Sequence, residues 1–108
     1  MKIFDVMGKV GSSGEFLLGS RETGSHACYL IYGVLHPGEA GRELKPGPGH
    51  EELVLVLQGD MALSGVHNGT LKQGQALQLV GDETVLAGNS GVMPVLYVVS
   101  GGHSGHAH

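Results

Sequence analysis

Tryptophan is absent from this 108-residue chain, cysteine occurs once, and lysine and arginine together number only six. Each scarcity excludes something. One cysteine leaves no disulfide framework and no thiolate metal box. Six cations against ten acids, a formal net charge of -4, leave no basic footprint for nucleic acid or an anionic membrane surface, so neither is expected as a partner. No apolar run approaches the roughly 20 residues that a bilayer-spanning helix needs. Asp5 falls where a signal peptide would carry its apolar segment, and the expectation is a cytoplasmic protein. Cys28 is flanked by Ala27 and by Tyr29, Leu30 and Ile31, a strand-like run in which a thiol is expected to be buried and inert.

Glycine is abundant, at 20 residues, and 41% of the chain is hydrophobic, enough for one core. Short Val- and Leu-rich runs broken by glycine favour strands over helices, which each internal glycine weakens by about 1 kcal/mol. Strands are expected at residues 3–6, 16–18, 27–35, 52–58, 61–66, 70–72, 76–80, 84–87 and 93–100. Residues 52–58 form the strongest run. Both of its faces are apolar, which predicts a strand covered on each side. Residues 37–49, rich in proline and glycine, read as a long loop. His67-Asn68-Gly69 reads as a type I′ hairpin turn, and Gly101-Gly102 closes the last strand. Turns every 8 to 12 residues without an amphipathic helical pattern indicate a sandwich or barrel. The expected organisation is one domain over 1–108, with edge strands and loops in 1–25 and a flexible histidine-rich tail in 103–108.

The segments from Pro37 to Gly59 and from Gly74 to Asn89 resemble the two sequence boxes of the cupin family. That family's first box has a glycine, two histidines one residue apart, a glutamate a few residues later and a glycine beyond it. In His50-Glu51-Glu52-Leu53-Val54-Leu55-Val56-Leu57-Gln58-Gly59 the glutamate matches Glu52 and the closing glycine matches Gly59. The two metal histidines would fall at Lys45 and Gly47, or at Pro46 and Pro48. In the second box the third histidine corresponds to Val85, and only Asn89 matches. The resemblance implies an all-β double-stranded β-helix, a jelly-roll barrel of about eight to ten strands, whose usual metal site is largely lost. It also implies a homodimer, which would cover exposed edge strands.

His50 and Glu52 stand two apart on a strand and therefore share a face. In a cupin that face is the barrel interior. One reading makes them polar anchors of a small-molecule pocket lined by His50, Glu52, Val54, Val85 and Tyr97, without metal. A second makes His50 and Glu52 the start of a rebuilt site for Zn, Fe, Mn or Ni in an enzyme of dioxygenase or isomerase type, with a further ligand from His26, His36, His67 or the tail. In that enzyme the pair is also placed for general acid or base work. A third reading assigns metal handling to His103, His106 and His108. The ligand, and whether metal or neither is bound, stay open at the level of sequence.

Overall fold

The computed structural model describes residues 1–103. The chain opens without regular structure and makes a 3-10 turn at Met7–Lys9. Nine strands follow: β1 (Glu15–Leu18), β2 (Cys28–Leu35), β3 (Arg42–Leu44), β4 (His50–Gln58), β5 (Met61–Gly65), β6 (Gly69–Leu71), β7 (Ala76–Val80), β8 (Val85–Gly88) and β9 (Val95–His103). A short helix, α1 (Ser20–Thr23), lies between β1 and β2. The strands form a five-stranded sheet in the order β1-β2-β9-β4-β7 and a four-stranded sheet in the order β3-β8-β5-β6. Neighbouring strands within each sheet pair antiparallel. The two sheets form the sandwich that the turn spacing indicates, wound as the double-stranded β-helix that the resemblance implies.

The core follows from period-2 alternation. On β4, Glu52, Val54 and Val56 point inward and are buried. On β9, Val95, Tyr97 and Val99 do the same, facing Met61, Val85 and Ala87 of the other sheet. The intervening residues of β4 differ from expectation. Leu53 is 53% and Leu57 46% exposed, so β4 is covered on one face only. The second sheet packs on the inner side alone, as is common for antiparallel sheets.

Four other expectations are corrected. Residues 3–6 form no strand. The proline-glycine loop contains β3, a three-residue strand held by Leu44 in the core. The turn after β5 is wider than a type I′ hairpin. Leu63 pairs with Gly69, while Gly65 pairs with Val85 of β8, and no described residue other than glycine adopts positive φ. Strand β9 runs through Gly101 and Gly102 to His103, because both glycines pair with β2 on one side and β4 on the other.

Asn89 fastens the far end of the sandwich. Its buried Nδ2 donates to the Leu35 and Met93 carbonyls, both at 2.8 Å, and its Oδ1 accepts from the Gly91 N–H at 2.9 Å. The resemblance's one match in the second box is therefore a residue that ties the β8–β9 connection to the end of β2.

Candidate functional site

Register places the functional side chains in rows across the inner face of the five-stranded sheet. Gly101 of β9 stands opposite both Tyr29 of β2 and Glu52 of β4. A Cβ at Gly101 would lie 2.2 Å from the Tyr29 ring, so the ring occupies the place of the missing side chain. From there the Tyr29 hydroxyl crosses the intervening strand and donates to Glu52 Oε2 at 2.5 Å. Burial, and then the neighbouring carboxylate, raise the Tyr29 phenol well above its ordinary value. Glu52 is 6% exposed and its Oε1 accepts no hydrogen bond from a described residue.

A second row repeats the design. Gly33 of β2 stands opposite Glu15 of β1 and Tyr97 of β9. A Cβ there would lie 2.1 Å from the Tyr97 ring, and the Tyr97 hydroxyl donates to Glu15 Oε2 at 2.5 Å. This row has a cation. Arg42 Nη1 donates to the Tyr97 hydroxyl at 3.1 Å and to the Val34 carbonyl at 2.8 Å. Tyr97 is also raised, chiefly by burial and next by Glu15, with Arg42 opposing.

The Tyr29 row forms part of the wall of a pocket of about 360 Å³. Leu17 and Ile31 supply an apolar side; Ser20, Ser25, His26, His50, Glu52 and His103 supply polar groups. No lysine or arginine lines it. His50 begins β4 and lies directly opposite His103, with ring centres 5.0 Å apart and planes inclined at 31°. The Tyr29 and His50 rings meet edge-on at 6.1 Å. His50 Nδ1 is 3.0 Å from the Pro48 carbonyl oxygen. A carbonyl only accepts, so Nδ1 carries the proton and a neutral His50 keeps its lone pair on Nε2.

The residues singled out from sequence divide among several places. His50 and Glu52 share this pocket with His26 and His103. Val85 is packed in the core and lines a second opening of about 620 Å³, together with His67, Leu63, Leu71 and Leu79. That opening is less suited to recognition, because two of its polar side chains serve their own turns. Glu83 accepts from the Val80 N–H and Gln75 from the Lys72 N–H. Val54 and Tyr97 are fully buried in the core and line neither opening. His36 follows β2 at the end opposite the pocket. His106 and His108 lie outside the described residues. Cys28 is exposed rather than buried, because it begins β2 at the pocket rim, ahead of the strand's buried part.

The residues present do not fit the four-ligand metal centre of the cupin boxes. Three of its positions hold other residue types, and the fully buried Val85 takes the place of the third histidine. Among the described residues, no three or more potential donors stand together as a metal cluster. The pairing of Glu52 with Tyr29 was missed from sequence. A signal did exist. Tyr29 and Gly33, and Tyr97 and Gly101, are each four residues apart. On antiparallel strands that spacing lets each tyrosine face the other strand's glycine.

Comparison with family models finds no match. Comparison with curated protein sequences also finds none. Solved structures do match. TT1209 from Thermus thermophilus superposes with a TM-score of 0.71 at 18% identity, over 95% of this chain and 98% of that one. A predicted oxalate decarboxylase from Thermotoga maritima gives 0.68 at 16% identity, over 83% and 81%. The cupin domain of Schizosaccharomyces pombe Cnp3 gives 0.64 at 13% identity, over 72% and 54%. At such identities the likeness concerns the fold. Two antiparallel sheets wound as a double-stranded β-helix, with these neighbours, make the chain a small cupin-fold domain.

Proposed function

We propose that the chain is a small-molecule-binding cupin whose ligand occupies the pocket beside Tyr29, Glu52 and His50. The observation that carries this reading is the Glu52 carboxylate, held from one side by Tyr29, with Oε1 accepting from no described residue. A carboxylate held on one side and open to the pocket on the other is placed to accept from a ligand. The pocket's size lies within the usual range for small ligands, roughly 300–1,000 Å³.

Charge narrows the ligand class. The pocket has a carboxylate and no lysine or arginine, so a small dicarboxylate would meet repulsion from Glu52. A neutral polyol or an amine offers a donor that Oε1 can accept from, while Leu17 and Ile31 cover a carbon face. The ligand thus differs in charge from the oxalate named for the Thermotoga neighbour.

Screening by NMR against neutral polyols, amines and small dicarboxylates tests the reading. Binders are expected in the first two sets, with shifts at Leu17, Tyr29 and Ile31. Glu52→Ala should weaken them by roughly tenfold to a hundredfold, the worth of a hydrogen bond to a charged group. Preference for dicarboxylates, or binding indifferent to Glu52→Ala in a variant that still folds, would reject it.

The exposed Leu53 and Leu57 on the outer face of β4, with the exposed Val80 on β7 opposite Glu51, support pairing of two copies through this sheet. Sedimentation equilibrium should then give a dimer that Leu53→Lys dissociates.

A further inference from the structure

We propose that His50 and His103 form a cross-strand zinc site at the rim of the pocket, apart from the barrel interior where the cupin boxes would put a metal. The two histidines are direct partners on β4 and β9, so their Cβ atoms are neighbours on one face. A zinc ion bound about 2.0–2.1 Å from an imidazole nitrogen lies about 3.2 Å from the ring centre, so two imidazoles at a tetrahedral angle have centres about 5.2 Å apart. At a right angle, as in square-planar coordination, the same arithmetic gives about 4.5 Å. The ring centres here are 5.0 Å apart, nearer the tetrahedral value.

A second, independent feature concerns the tautomer. Metal-bound histidines characteristically donate their other N–H to a carbonyl or carboxylate, which fixes ring orientation. His50 does this already. Its Nδ1–H points at the Pro48 carbonyl and its Nε2 lone pair is left for a metal. The strand supplies one ligand, and the Pro46-Gly47-Pro48-Gly49 turn before it supplies that ligand's support. The two strands supply two ligands, and water or a pocket ligand would complete the four of a zinc ion.

The test uses zinc itself, titrated calorimetrically into the full-length chain carrying His106→Ala and His108→Ala, which removes the tail imidazoles. One equivalent should still bind. Adding His50→Ala or His103→Ala should weaken binding at least about tenfold, since even the outer partners of metal ligands are worth 10–100-fold. Loss of zinc with the tail substitutions alone, or affinity unchanged by both strand substitutions, would overturn the site. Should a strand substitution unfold the protein, ¹⁵N NMR of the imidazoles in the unsubstituted chain decides. Zinc should shift His50 Nε2 and leave Nδ1 protonated. No response from the His50 and His103 rings would overturn the proposal.

Discussion

The two tyrosine rows share a construction and differ in their surroundings. In each, a tyrosine lies over a glycine on the next strand and donates to a glutamate one strand further on. The Tyr97 row is closed. Arg42 joins it, and its guanidinium also holds the Val34 and Gly14 carbonyls and the Glu39 carboxylate. The Arg42 cation therefore stands beside the Glu15 and Glu39 carboxylates, and the network fastens edge strand β1 and strand β3 to the core. The Tyr29 row has the same phenol and carboxylate but no guanidinium, and it borders a pocket. The contrast separates a structural polar network from one that leaves an acceptor for a ligand.

The largest contrast is expected from filling the glycine positions. Gly33→Ala must displace the fully buried Tyr97 ring and should cost about 3 kcal/mol by chemical denaturation, the upper end for overpacking. Gly101→Ala meets the half-buried Tyr29 ring, which has the pocket to move into, and should cost about 1 kcal/mol. Equal losses would remove the distinction between the rows.

Removing the hydroxyls gives a smaller effect. Tyr97→Phe takes the hydroxyl donor from the Glu15 carboxylate and one of several acceptors from Arg42, and should cost about 2 kcal/mol. Tyr29→Phe leaves Glu52 beside an opening that admits water and should cost under about 1 kcal/mol. The same denaturation measurement checks both.

The smallest effect is on pH dependence. Both phenols are raised in the folded state from an ordinary value of 10.0. The unfolded chain therefore loses these protons first. Their contribution is complete below about pH 10 and declines as pH rises from there through the folded values. Melting temperature should fall between pH 10 and 11, and Tyr97→Phe and Tyr29→Phe should each flatten that decline.

Much of the fold was legible, and for identifiable reasons. Strands β4 and β9 are long apolar runs bounded by glycine or proline, so periodicity and turn chemistry found them. Strand β3 was hidden because Leu44 is its only apolar residue and proline and glycine surround it. The exposed side of β4 was misjudged because Leu53 and Leu57 are apolar yet face outward, and composition does not tell which face a second sheet covers. His50 and Glu52 were legible as a same-face pair. Their partners were not, since Tyr29 and His103 reach them only through the strand order β2-β9-β4.

The site's chemistry rests on the contact between the Tyr29 phenol and the Glu52 carboxylate, which a ¹³C NMR pH titration of the tyrosine rings measures directly. Tyr29 should remain protonated well past the point where an ordinary tyrosine ionises, and Glu52→Gln should bring its ionisation to lower pH. A Tyr29 resonance that titrates at the ordinary value, unmoved by Glu52→Gln, would contradict the account.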